Sequence, residues 1–467
     1  MDNYDCDFKK GTFEKTVFKI ALPVTLQSLL QSSFSVIDQV MIGQLGSGSI
    51  AGIGLGGKFA SLYSVVLAAI ASVAGIMISQ YLGRKDERSA AKSFSINMAM
   101  SVGLAVVFTV LSVVFPDKIM ALYTKDEVTR TLAVQYLRIY AISFLPMAVS
   151  SIAATMLRCR EKATLPLYAS IFALVLNTGL NYLLIFGKWI FPAMGVKGAA
   201  LASVVAQAVS CMVLLIFLCL KENRGKEPAQ MGTVGQEEGN GERVAGETDG
   251  LTSYGAQYLK ILCPMLLCEF LWSLGENVYT AIYGNIGTDA CAAMTMTIPV
   301  QTIVIGALSG LSQAAGILIG KSLGAGKYEQ AYTESKKLMI YGLAASIVLS
   351  VALVAVSPFY VRIFNVEPSV QAITRSLLIA IAVIAPVKVL NMILGGGIIR
   401  SGGKTAYTMW IDLIGTWVFG VPLGLLSAFV WNLDVQYVYF ILSLEECVRL
   451  GISIVIFRRR VWMERIR

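Results

Sequence analysis

The chain has 467 residues, 56% of them hydrophobic and only 14% charged, with a mean hydropathy of +0.69. Soluble domains carry about a quarter charged residues, so this composition excludes a set of soluble domains and places the chain among membrane proteins. The net charge of +9 does not mark a nucleic-acid partner, because its distribution follows membrane sidedness, and the absence of histidine leaves proton chemistry near neutral pH to carboxylates.

The opening segment, 1–15, reads MDNYDCDFKKGTFEK and mixes both signs of charge; no small-residue cleavage site follows, so a cleaved signal peptide is not expected. Twelve apolar runs follow, centred near residues 31, 68, 105, 146, 176, 209, 271, 308, 347, 387, 419 and 447, each suited to the roughly 20 residues a helix needs to cross hydrocarbon. The predicted fold is an all-α membrane protein of twelve transmembrane helices in two six-helix lobes related by pseudo-two-fold symmetry. The lobes are expected at 16–220 and 253–457, joined by a Gly-, Glu- and Lys-rich flexible linker at 221–252 and followed by a basic tail at 458–467. Eight cysteines, mostly within apolar runs and without a CxxC pair, read as small buried hydrophobes, with neither a disulfide framework nor a metal site indicated. Counting Lys and Arg on alternate sides of the runs gives 26 on the side of both termini and eight on the other. The first side is therefore expected to be cytoplasmic, in a multi-pass protein of the cell membrane.

In the first run, LQSSFSVIDQVMIGQLG, Asp38 is the single charged residue between Lys19 and Lys58. A carboxylate at a helix centre costs roughly 2.5–3.5 kcal/mol on insertion scales, so it predicts a function. Gln27, Gln31, Ser35 and Asp38 share an arc of about 80° at 100° per residue. Asn177 and Asn181 share one face of the fifth run, and Ser203 lies early in the sixth. An acid ringed by neutral donors and acceptors can hold a proton or, through several oxygens, a sodium ion; helix-to-helix hydrogen bonding is the structural alternative for the asparagines.

The seventh run, CEFLWSLGENVYTAIYGNIG, carries Glu269, Ser273, Glu276, Thr280 and Tyr283 within about 80°, flanked by Trp272 and Tyr279. Carboxylates beside aromatic rings suit an amphipathic cation. Glu269 and Glu276 could instead pair with Lys388, which the tenth run carries together with Asn391. Asp412 in the eleventh run receives little weight, and Glu445, Glu446 and Arg449 in the twelfth read as a structural ion pair one turn apart. Lys58 has no assigned role.

An offset of 241 residues lays Pro23 on Pro264, Gly43 on Gly284 and Gly46 on Gly287, and superposes AGIMISQYLGRKDERSA (74–90) on AGILIGKSLGAGKYEQA (315–331) with seven identities in seventeen. Each half holds an even number of spans, so the halves are parallel repeats, whose substrate sites lie near the midplane at their interface.

Taken in order, VIDQVMIGQLGSGSIAGIG, MISQYLGRKDERSAAK, LNTGLNYLLIFG, VKGAALASVVAQ and IIRSGGKT resemble the multidrug and toxic compound extrusion (MATE) family over nearly the whole chain. The resemblance implies alternating access between lobes and export of organic cations or amphipathic small molecules in antiport with H+ or Na+, with no other cofactor. It assigns Asp38, Asn177, Asn181 and Ser203 to the coupling ion, with Gln31, Glu269, Trp272, Ser273, Glu276, Tyr279, Lys388 and Asn391 expected along the substrate cavity. The chain departs from one branch of the family, which places an acid on the tenth helix where Lys388 and Asn391 stand here. A lipid-linked saccharide flippase of the same superfamily is the alternative, although it would want several cations for phosphates. The GRKDERSAAK loop fits the major facilitator signature poorly. Without a histidine cluster, metal motif or GxSxG elbow the chain is not expected to be an enzyme. It is expected to act as a monomer in the bilayer.

Overall fold

The computed structural model describes residues 10–189, 191–222, 246–362 and 367–466, which are helical almost throughout. A chain crossing hydrocarbon must satisfy its backbone N–H and C=O groups internally, and helices do so within each segment. Among the described residues, eleven helical stretches are long and apolar enough to cross a membrane, from Phe13–Gly43 to Thr405–Val430. The twelfth apolar run is divided into Val435–Ser443 and Glu445–Arg458, which meet at Leu444. All twelve predicted centres fall inside these stretches, called here the first to twelfth spans. The protein is an all-α, multi-pass membrane protein with six spans in each of two lobes.

Some details escape periodicity. A short helix, Pro116–Ala121, intervenes between the third and fourth spans, and the tenth and eleventh contain π-helical segments, Met392–Ile399 and Ile414–Gly420. The sixth helix runs on to Glu222 and the seventh begins at Gly246, so helix reaches a few residues into the expected linker from both sides. The rest of that linker, and residues 1–9 of the expected N-terminal segment, lie outside the described residues. Large apolar side chains on the ninth span, such as Val348 (70% exposed) and Phe359 (69%), face outward. In water they would be a liability; in lipid they are the expected surface. Cys159 and Cys268 are buried as anticipated, but Cys263 and Cys447 lie on the exposed surface.

The repeat becomes geometry where the second and eighth spans cross. A Cβ on Gly83 would overlap the carbonyl oxygen of Lys321, and one on Gly324 would overlap that of Gln80. Gly83 and Gly324 are 241 residues apart, as are Gln80 and Lys321, so the two contacts are the same contact seen from either lobe. Small residues let helix backbones meet this closely, and a side chain at either position would force the lobes apart.

The same end of the bundle, which carries both described chain ends, is clamped by polar contacts between lobes. Gln80 is fully buried; its Nε2 donates to the Ser401 carbonyl at 2.7 Å and its Oε1 accepts from the Ile466 amide at 2.8 Å. Lys321 pairs with Glu161 at 2.6 Å. The basic tail does not simply trail away: Trp462 is buried and lies against Gly402. Deeper in the bundle, Thr25 donates to the Ala307 carbonyl at 3.1 Å, Ser28 and Ser309 share a 3.0 Å hydrogen bond, and Tyr258 donates to Asn97 at 3.0 Å.

Candidate functional site

The first span brings Asp38 to the fifth and sixth spans, as its polar stripe predicts. Asn181, 2% exposed, donates from Nδ2 to Asp38 Oδ1 at 3.0 Å and to Asn177 Oδ1 at 3.2 Å. Asn177 donates in turn to Ser203 Oγ at 3.4 Å, and Ser203 donates back to the Ala199 carbonyl at 3.2 Å. The four residues expected together are together. A neutral amide meets the carboxylate, and a second amide and a hydroxyl continue the hydrogen-bond chain behind it.

A second site lies between the lobes. A cavity of about 1020 Å³ is walled by the second and fourth spans of the first lobe and by the seventh, eighth, tenth, eleventh and twelfth of the second. Glu269, Trp272, Glu276, Tyr279, Lys388 and Asn391 line it. Gln31 and Ser273, expected with them, do not. The lining face of the seventh span runs from Tyr279 through Glu276 to Thr280, and at 100° per residue Ser273 falls about 20° beyond its edge. Gln31 lies about a quarter turn from the Thr25–Ser28 face that meets the eighth span, and is exposed. Asp38 and its partners are likewise outside the lining.

The second-lobe wall of the cavity holds a knot of charge that sequence reasoning undervalued. Arg449, 7% exposed, reaches Glu445 at 3.4 Å, Asp412 at 3.7 Å and Glu446 at 3.9 Å, and also donates to Thr416. Tyr279 donates its hydroxyl to Glu445. Asn391 donates to the carboxylate of Glu446 at 2.8 Å and to its carbonyl at 2.6 Å. Cys268 donates its thiol to Asp412 at 2.8 Å. The eleventh span admits this knot because it presents glycines: a Cβ on Gly415 would overlap the Arg449 side chain, and one on Gly420 the Glu445 carboxylate. The one-turn pair read from the twelfth run is present, but as part of the cavity wall rather than as an isolated brace.

The alternative pairing of Glu269 with Lys388 is not what forms. Glu269 pairs with Arg400 at 3.2 Å, twelve residues farther along the tenth span. The π-helical segment Met392–Ile399 lies between the two cations. Its i→i+5 turns wind the chain less per residue than α-helix, so a helical phase extrapolated from Lys388 fails beyond Asn391. Arg400, counted from sequence only as a topology charge, and Asp412, given little weight, are both cavity residues. Arg158 is a third such case: from the fourth span it donates to Gln313 and to Gln27, each at 3.1 Å, joining the lobes beside the cavity. The available signal was three charges within five residues of an apolar run, Glu445 to Arg449.

The MatE family model matches residues 23–183 and again residues 264–426. The chain belongs to the MatE family. Its two MatE segments begin at Pro23 and Pro264, 241 residues apart, so the family match starts at equivalent points of the internal repeat. A Bacillus subtilis (strain 168) protein described as the uncharacterized transporter YisQ is 21% identical, covering 96% of this chain and 95% of its own. Probable multidrug resistance proteins NorM from Thermotoga maritima and Agrobacterium fabrum are 22% and 24% identical over 97% and 91% of this chain, and 93% and 89% of theirs. Among solved structures, a MATE protein in complex with MaL6 superposes with a TM-score of 0.83 at 16% identity, covering 96% of both chains. A Pyrococcus furiosus MOP superfamily transporter, described as having a binding pocket of reverse polarity, superposes with a TM-score of 0.82 at 16% identity, again over 96% of both chains. These likenesses establish the MatE fold, two lobes facing a central cavity.

Proposed function

We propose that this MatE protein is a secondary active exporter of organic cations and amphipathic small molecules, working by alternating access in antiport with protons or sodium ions. The observation that carries this reading is the cavity of about 1020 Å³ between two lobes that are clamped at one end. A space of that size, walled by both repeats, changes its access when the lobes rock about the Gly83–Gly324 crossing. The excess of Lys and Arg supports assigning the clamped end to the cytoplasm, with both termini inside and the conformer facing outward.

In this cycle Asp38 carries the coupling ion, held with Asn177, Asn181 and Ser203, while Trp272, Glu276 and Tyr279 contribute to the drug site. Ion and drug occupy separate places and act on each other through the lobe equilibrium, each favouring the conformer it binds better. Most cavity cations are tied to carboxylates or glutamines, which supports drug export over a phosphate-binding flippase role. Its chemistry is transport without bond making, so it is not read as an enzyme.

The test is efflux of a fluorescent cation from proteoliposomes under separately imposed pH and sodium gradients. One gradient should drive efflux in the wild type and neither should in Asp38→Asn. Gradient-driven efflux undiminished in that variant removes Asp38 from the coupling role.

A further inference from the structure

The repeat carries an arginine in each half that the two lobes use differently. At an offset of 242 residues Arg158 of LRCREK falls on Arg400 of IRSGGK, and both line the cavity. Each reaches back to the opening span of its own lobe. Arg158 donates to Gln27 on the first span at 3.1 Å. Arg400 pairs with Glu269 on the seventh span at 3.2 Å and touches Cys268, which stands 241 residues after Gln27, at 3.5 Å. There the likeness ends. Arg400 keeps an acid within its lobe, whereas Arg158 is in no ion pair among the described residues and directs its other donor across the lobe boundary, to Gln313 of the eighth span at 3.1 Å.

The two glutamines are not equivalent. Gln27 is anchored, because its Nε2 donates to Ser170 on the fifth span at 2.7 Å and leaves its Oε1 to Arg158. Gln313 is exposed, and among the described residues its side chain hydrogen-bonds to the first lobe only at Arg158. A guanidinium held by amide oxygens can exchange one of them for water when the lobes part. Parting it from a carboxylate would separate opposite charges, at a greater cost. The ion pair that does cross this boundary, Glu161 with Lys321, lies one turn nearer the clamped end, where the water and salt that enter on opening screen its separation.

We propose that Arg158 is a releasable latch between the lobes: it stays with Gln27 through the cycle and lets go of Gln313 each time the clamped end opens. Its twin Arg400, locked to Glu269, moves with the second lobe as one body. Arg158 is thus a positioning residue for transport, and its neutral partner on the other lobe sets how readily the gate opens. The inference deepens the export reading and rests on it for the cycle in which the lobes part.

Replacing the Gln313 amide by an acid of the same length turns the latch into an ion pair. Spin labels at Arg88→Cys and Thr333→Cys, exposed positions at the clamped end of the first and second lobes, report opening as a distance between the two electron spins. The full-length protein in nanodiscs, on a background without native cysteines, is the sample. Gln313→Glu should lower the ratio of open to closed conformers by about tenfold, the equivalent of roughly 1.4 kcal/mol. Gln313→Leu, which removes the acceptor without adding charge, should raise that ratio. Arg158→Gln should raise it as well, and in that background Gln313→Glu should no longer favour the closed form. Closure by Gln313→Glu that persists without Arg158, or distances unmoved by all three variants, overturns the proposal. Dye efflux from proteoliposomes separates the latch from the parent reading. Distances that follow the latch with no gradient-driven efflux sink export and leave the latch standing, whereas efflux with distances indifferent to Arg158 sinks the latch alone.

Discussion

The two lobes share a backbone plan and differ in how they handle charge. The first lobe places one carboxylate, Asp38, among neutral hydrogen-bonding groups, with Asn181 at 3.0 Å. The second packs Asp412, Glu445 and Glu446 around Arg449, and sets Glu269 on Arg400. A neutral shell permits gain or loss of an ion with little structural consequence. A knot of mutually dependent charges resists it, because removing one member strands the others in a low dielectric. The duplicated scaffold thus carries a lone carboxylate with neutral partners in one half and a knot of paired charges in the other.

That contrast is most exposed at Arg449. Arg449→Met leaves two buried carboxylates, Glu445 and Glu446, and the partly buried Asp412 without their guanidinium and should cost about 3–5 kcal/mol, read as a fall in thermal stability in detergent. A variant as stable as wild type would show that the knot does not hold the eleventh and twelfth spans. Tyr279→Phe removes a hydroxyl donor to Glu445, and a loss of roughly 1.5–3 kcal/mol is expected, since hydrogen bonds to charged groups lie in that range.

Gly83→Ala and Gly324→Ala probe what the lobes have in common. Each inserts a methyl group against a backbone carbonyl of the other repeat, at a cost of roughly 1–3 kcal/mol. Because the contacts are reciprocal, the two variants should lose similar stability and open the clamped end to thiol reagents at a cysteine placed at Gln80. Markedly unequal losses would mean that the pseudo-two-fold does not extend to this crossing. The smallest stability change, under about 1 kcal/mol, belongs to Asp38→Asn, where the new amide still offers an oxygen to Asn181. Its thermal unfolding should nearly match wild type even as its gradient response disappears, and a large loss of stability would place Asp38 in the same structural class as Arg449.

Much of the first lobe was legible because its signal is local. A polar stripe on one helix and two asparagines four residues apart on another can meet only where apolar faces do not, and the hydrogen bonds among Asp38, Asn177, Asn181 and Ser203 follow. The second lobe was legible in inventory and not in pairing. Glu269, Trp272, Glu276, Tyr279, Lys388 and Asn391 reach the cavity, but Glu269 turns to Arg400, and Ser273 and Gln31 fall outside. For Ser273 a margin of about 20° on the helix decides the matter, and helical phase carries that error from the outset.

By itself the sequence determined the twelve spans, the 241-residue repeat and the isolation of Asp38, because hydrophobic length, self-similarity and the scarcity of charge are properties of the chain read in order. Only the tertiary structure decided which charges meet. Arg449 reaches Asp412 because Gly415 and Gly420 let the eleventh span approach the twelfth, and Glu269 reaches Arg400 because a π-helical segment turns the tenth span away from α-helical phase. Those choices depend on how helices cross and rewind, and in the low dielectric of a membrane protein they decide which charges brace the cavity wall.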